Sequence, residues 1–259
     1  MDTLAQRWSR LEPHVKVYGP ADDTPRPAVL LFHGCGGVRD LARAYGEAAS
    51  TAGYRAFSID SFAPRGWPRQ YALGFVCTGL AFHGSERAGD VLAATWGVSR
   101  RKDVDAGHMA LAGWSHGSWS IMDLMTMPLK RPGEAGLADP DPDCLAGVRG
   151  LFLAYPYGGL GALSRVRPWV RSPEVMGIVA RRDHVTSAGD AERLYASARR
   201  GGSVVDLWRV DATHAFDEDG TSGLMRYDAE LSRQARERFV GFLRKTLAVT
   251  DAPAAAGAA

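Results

Sequence analysis

The chain has 259 residues, 46% of them hydrophobic, and its 31 basic against 29 acidic side chains leave a formal net charge of +2. That length and apolar content can bury one large core, and the scattered, nearly balanced charge argues against a nucleic-acid partner. Residues 1–20 are charged throughout, no apolar run approaches membrane-spanning length, and Cys35, Cys77 and Cys144 lack metal-ligand spacing, which predicts a soluble, cytoplasmic protein with free thiols, no metal and no membrane partner.

Apolar runs bounded by turn residues predict strands at 27–32, 55–59, 108–112, 148–154, 175–180 and 204–210. Three-to-four-residue spacing predicts helices at 40–52, 86–99, 117–127, 188–200 and 226–247, the last with Leu231, Ala235, Phe239 and Leu243 on one face. The alternation implies an α/β fold, a mostly parallel central sheet with helices on both faces, in a single domain over 1–248. Two segments fit neither period. The first, 61–85, is rich in Pro, Gly and aromatics and is expected to roof a pocket. The second, 128–145, with Asp139-Pro140-Asp141-Pro142-Asp143, is expected to be a surface loop. Residues 249–259 are small and are expected to form a disordered tail. No internal repeat is present.

The first of these strands runs into His33-Gly34-Cys35-Gly36-Gly37. Such a glycine-rich turn can aim backbone N–H groups at a ligand, but it has neither the Gly-Lys-Ser/Thr ending of a phosphate loop nor dinucleotide-binding spacing. The strand at 108–112 runs into Gly113-Trp114-Ser115-His116-Gly117, ahead of a helical pattern carrying Ile121, Leu124 and Met125. A Gly-x-Ser-x-Gly between a buried strand and a helix has the form of a nucleophile elbow, in which the serine occupies a strained turn and the flanking glycines let neighbouring backbone pass. The competing reading is an ordinary glycine-flanked turn. On the elbow reading, the N–H groups of His116 and Cys35 are the two donors that a tetrahedral oxyanion needs. His33 is then expected to brace its loop.

A serine needs a base, and the base needs an orienting carboxylate. Asp183 lies just past the strand at 175–180, and His214 lies four residues past the strand ending at Val210. Chain order and placement agree with Ser115, Asp183 and His214 as a triad. His14 and His83 precede the elbow, His116 is too close to Ser115 in sequence, and His184 reads as a solvated loop residue. Asp190, Asp206 and Asp211 are rivals for the acid. Arg65, Phe62 and Trp114 are candidate substrate-binding residues, and Arg87 is weighed with Arg65, although loop bracing and core packing are the plainer readings. Cys35 and Cys77 could pair if their loops meet above the site; free thiols are preferred. Asp217-Glu218-Asp219 reads as a solvated acidic loop.

Taken together, Phe32-His33-Gly34-Cys35-Gly36-Gly37, Asp60-Ser61-Phe62-Ala63-Pro64-Arg65-Gly66, Gly113-Trp114-Ser115-His116-Gly117, Asp183 and Thr213-His214-Ala215-Phe216 make the chain resemble the dienelactone hydrolase family of the α/β-hydrolase fold, over about residues 27–246. The resemblance implies cofactor-free hydrolysis of lactones and carboxylic esters. It departs from the founding members in two respects. They carry a cysteine where this chain has Ser115, and they hold a substrate carboxylate with two arginines. Arg65 is the match for the first arginine; the second is replaced by Asp217-Glu218-Asp219, which predicts weaker handling of anionic substrates. The expected activity is therefore serine-dependent hydrolysis of a small-molecule ester or lactone. An acyltransferase or thioesterase using the same acyl-enzyme is the alternative, and a non-catalytic ligand receptor on the same scaffold is a third.

Overall fold

The computed structural model describes residues 1–159, 161–221 and 223–248; the predicted tail lies outside them. In chain order the elements are α1 (Leu4–Leu11), β1 (Val15–Tyr18), β2 (Arg26–Phe32), α2 (Asp40–Thr51), β3 (Arg55–Ile59), α3 (Arg69–Tyr71), α4 (Gly84–Val98), β4 (Val104–Trp114), α5 (His116–Met125), β5 (Val148–Ala154), β6 (Glu174–Ala180), α6 (Ala188–Arg200), β7 (Val205–Val210) and α7 (Ala229–Thr246). The strands form one sheet in the order β1-β3-β2-β4-β5-β6-β7. Among the described residues, only β1 runs antiparallel, against β3; every other pairing is parallel.

Burial on both faces explains the nearly continuous apolar runs of the inner strands. Along β2, Ala28, Leu30 and Phe32 belong to the apolar cluster that includes α1, α4, α5 and α6, while Val29 and Leu31 belong to the one that includes α2 and α7. Tyr45 of α2 and Phe239 of α7 meet edge to face at 5.2 Å on that second face. A fully buried side chain such as Leu111 stabilises the fold by about 2–5 kcal/mol, judged by leucine truncations elsewhere.

Outside the 61–85 segment, two of these elements have no counterpart among the predicted ones. In α1, Thr3 caps the first turn through a reciprocal capping box with Gln6, and Leu4, Trp8 and Leu11 bury one face. The Trp8 ring occupies the space that a Cβ on Gly97 of α4 would fill. β1 is a four-residue edge strand with its middle exposed, too short for a periodic signal.

The segment 61–85 forms short helical turns, including a π turn at Ala72–Val76. The segment 128–145 is more than the expected surface loop: Leu129, Ala135, Leu137, Cys144 and Leu145 are buried in the core beside α1 and α4. Its apolar residues lack a regular period because Ala135, Cys144 and Leu145 sit on short 3-10 turns, while Leu129 and Leu137 lie outside any helix. Among the described residues, no helix is long and apolar enough to cross a membrane.

Candidate active site

Parallel register brings the loops after β2, β4, β6 and β7 to one edge of the sheet. Phe32 lies beside Gly113, Trp114 beside Ala154, and Ala180 beside Val210. Ser115 follows directly on β4 with φ 50° and ψ −110°, a strained conformation for a non-glycine residue that costs on the order of 1–3 kcal/mol. The flanking glycines make that turn sterically feasible. A Cβ on Gly117 would lie 2.1 Å from the carbonyl oxygen of Phe32, and one on Gly113 would lie 2.6 Å from the Ser118 nitrogen.

Three side chains from three loops meet there. Ser115 Oγ is 2.9 Å from His214 Nε2, and His214 Nδ1 is 2.7 Å from Asp183 Oδ2. The other Asp183 oxygen accepts from the backbone N–H groups of Val185 and Thr186 at 2.7 and 2.9 Å, which fixes the carboxylate. His214 is 3% exposed and Ser115 7%, so the relay is largely shielded from water. The rival acids are engaged elsewhere: Asp190 with Ser187 and Arg193, and Asp211 with Arg182. Asp206 stands within β7.

Gly34 approaches the serine closely; a Cβ there would lie 3.5 Å from Ser115 Cβ. Among the described residues, no protein group accepts from the N–H of Cys35 or His116. Beneath them, His33 Nδ1–H donates to the Gly34 carbonyl at 2.7 Å while Nε2 accepts from the Ser61 N–H at 3.1 Å. Burial, reinforced by the charge of Arg87, pushes the His33 pKa well down. His33 is therefore neutral and braces its loop.

A cavity of about 180 Å³ opens on Ser115 and His214, walled by Cys35, Trp114, Tyr155, Met225 and, from the 61–85 segment, Arg69, Leu73 and Cys77. That segment thus roofs the pocket as expected. Cys35 and Cys77 are joined by a disulfide with their Cα atoms 5.2 Å apart, which corrects the expectation of free thiols; Cys144 alone is free and buried. The pairing depends on the roof folding back onto the glycine loop, a contact 42 residues distant in sequence. It removes the cysteine argument for a reducing compartment.

Arg65 and Phe62 stand outside the cavity at Ser115. Arg65 grips the buried Asp90 with two bonds of 2.8 and 2.9 Å and donates to the Ser61 carbonyl. It lines a separate cavity of about 860 Å³ with Arg7, Trp67 and Phe82. Phe62 packs within the roof against Ala72, Val76 and Phe82 and edge-on to His33 at 4.6 Å. Trp114 does line the Ser115 cavity.

The acidic run is solvated only at Asp219. Asp217 is buried and accepts from the hydroxyls of Tyr45 and Tyr155 at 2.7 and 2.6 Å; burial raises its pKa and the two hydroxyls partly offset that rise. Glu218 lines the cavity and pairs with Arg39 at 2.8 Å, and burial raises its pKa as well. Arg39, Arg69 and Tyr155 in the wall had no sequence signal beyond their residue types. Among the described residues, no group of three or more His, Cys, Asp or Glu side chains could hold a metal ion.

The sequence matches no protein-family model and no curated protein. Solved structures match over most of their length. An esterase from Thermogutta terrifontis with propionate bound superposes with a TM-score of 0.66 at 17% identity, covering 92% of this chain and 91% of that one. The same esterase has also been solved phosphonylated by sarin and phosphorylated by paraoxon. A dienelactone hydrolase-like promiscuous phosphotriesterase from metagenomic libraries gives 0.64 at 13% identity, over 90% and 92% of the two chains. With its seven-stranded, mostly parallel sheet and helices on both faces, the chain has the α/β-hydrolase fold.

Proposed function

We propose that the protein is a serine hydrolase that cleaves a carboxylic ester or lactone through an acyl-enzyme on Ser115. The observation that carries this reading is the unbroken relay from Ser115 Oγ through His214 to Asp183, at 2.9 and 2.7 Å. An alcohol is hardly ionised at neutral pH, so the attacking oxygen needs a base in contact with it. His214 Nε2 takes the Ser115 proton as Oγ bonds to the carbonyl carbon, and the carbonyl electron pair moves onto oxygen, opposite the N–H groups of Cys35 and His116. Collapse of that intermediate breaks the bond to the alcohol, which leaves with the proton held on His214. Water, deprotonated by the same nitrogen, then attacks the acyl-enzyme and frees Ser115 and the acid. Asp183 keeps the Nδ1–H in place and stabilises the imidazolium.

A cavity of about 180 Å³ suits a short acyl group, and the propionate and butyrate bound to the Thermogutta esterase are of that size. Glu218 is offset by Arg39, so the preference for neutral over carboxylate-bearing substrates that the acidic run suggests is modest. The test is a panel of p-nitrophenyl esters, neutral and carboxylated, with lactones and acyl thioesters, run on wild type and Ser115→Ala. Ester or lactone turnover that falls at least about 10⁴-fold in the variant supports the reading. Turnover that survives the substitution, or no turnover of any class, overturns it.

A further inference from the structure

Arg87 of α4 is completely buried, a rare setting for a guanidinium. Among the described residues it forms no direct bond to a carboxylate. Its Nη1 donates twice, to the His33 carbonyl at 2.7 Å and to His116 Nδ1 at 3.0 Å, and its Nε donates to Ser61 Oγ at 3.0 Å. Burial lowers its pKa to about 10, which leaves it a cation at neutral pH. His116 completes its own bonding by donating from Nε2–H to the Phe82 carbonyl at 2.7 Å. Burial and then the charge of Arg87 push the His116 pKa down to about 3, so its ring stays neutral and Nδ1 remains an acceptor.

The two acceptors on Nη1 belong to different halves of one proposed device. The His33 carbonyl lies in the loop that carries the Cys35 N–H, and the His116 ring belongs to the residue whose own N–H is likewise without a protein acceptor among the described residues. We infer that Arg87 is a positioning residue which sets the separation of the two oxyanion donors by holding both segments on one nitrogen. The inference rests on the serine-hydrolase reading above. Arginine suits the task because its planar fork fixes the angle between bonds, whereas a lysine ammonium on a flexible stem fixes neither angle nor reach. A purely structural role, pinning α4 to the sheet, makes a different prediction: lost stability with transition-state binding intact.

The experiment compares wild type with Arg87→Met, Arg87→Lys and Leu92→Ala. Leu92 is fully buried on the same helix and controls for lost packing. Each protein is assayed for kcat and KM on a p-nitrophenyl ester and for inhibition by an aryl trifluoromethyl ketone, whose adduct with Ser115 places an oxyanion on the two donors. Arg87→Met is expected to lose about 10²–10³ in kcat, the scale of one lost oxyanion donor. Its affinity for the ketone falls in parallel and its KM stays within about threefold. Arg87→Lys falls between Arg87→Met and wild type. Leu92→Ala lowers Tm without moving the other quantities. Wild-type kcat and ketone affinity in Arg87→Met, or in Arg87→Lys if the first does not fold, overturn the inference alone. A wild-type protein that neither turns over esters nor reacts at Ser115 overturns the reading beneath it, and the inference falls with that reading.

Discussion

Ser115, Asp183 and His214 stand one, three and four residues beyond the ends of β4, β6 and β7, whereas no residue of the roof at 61–85 belongs to a strand. At the sheet edge, parallel register decides where a side chain goes, and a short loop can deviate little from it. In the roof, position depends on side chains that are distant in sequence: the Cys35–Cys77 disulfide, the grip of Arg65 on Asp90 and the cluster of Phe62, Ala72, Val76 and Phe82. Chemistry placed on the edge should fail all at once when a reacting group is removed. A pocket shaped by the roof should loosen by degrees.

The largest effects are expected at the edge. His214→Ala and Asp183→Asn should each lose about 10³–10⁴-fold or more in kcat, and a double variant of Ser115 and His214 should be hardly worse than either single one, because the three act as a unit. Asp206→Asn and His184→Ala should keep most activity. Steady-state kinetics on one activated ester suffices, and abolition by Asp211→Asn in place of Asp183→Asn would contradict the assigned acid.

The roof should respond differently. Cys77→Ser, or reduction of the wild type by a dithiol, opens a tether between residues 42 apart, a separation worth about 4 kcal/mol in the chain-entropy account of disulfides. Tm should fall, and KM should rise more than kcat falls, since Cys77 walls the cavity without touching the relay. The variant should no longer respond to dithiol. Unchanged Tm and KM after reduction, with both thiols shown free by alkylation and mass measurement, would mean that the roof holds its place without the bond.

This contrast also explains what the sequence revealed. The six predicted strands, the turn at Ser115 and the meeting of Ser115, Asp183 and His214 were legible because buried parallel strands read as apolar runs and these three residues follow their ends closely. β1 was illegible as a four-residue edge strand. By contrast, α1 carried a readable signal in Thr3 and Gln6, with Leu4, Trp8 and Leu11 on one face. The roles of Arg65, Cys77 and Asp217 could not be read, since each is defined by a partner from another element: Asp90, Cys35, and the two hydroxyls of Tyr45 and Tyr155. An arginine beside Pro64 and Gly66 looks the same in sequence whether it faces a substrate or a buried aspartate.

The smallest effect concerns a carboxyl behind the elbow. Asp123 of α5 accepts from Trp119 Nε1 at 2.8 Å and from the Ser164 N–H at 2.9 Å, and burial raises its pKa from 3.8 to about 6. A carboxyl whose folded pKa is raised holds its proton more tightly in the folded state. Its contribution is fully present below pH 3.8 and is lost as pH rises through about 6. Wild type should therefore lose about 1–3 kcal/mol between pH 4 and 7 from this group. In Asp123→Asn that part of the Tm change should vanish, although the variant is less stable at low pH for want of one hydrogen bond. An identical Tm change with pH in both proteins would remove Asp123 as its source.

The central claim is that Ser115 is the nucleophile, activated by His214. Its most direct measurement is intact-mass and peptide mapping after exposure to paraoxon, run on wild type, Ser115→Ala and His214→Ala. The account predicts one diethyl phosphoryl group on wild type, mapped to Ser115, none on Ser115→Ala, and labelling slowed by several orders of magnitude in His214→Ala. An unlabelled wild type, or an adduct that maps to another residue and persists in Ser115→Ala, would contradict it.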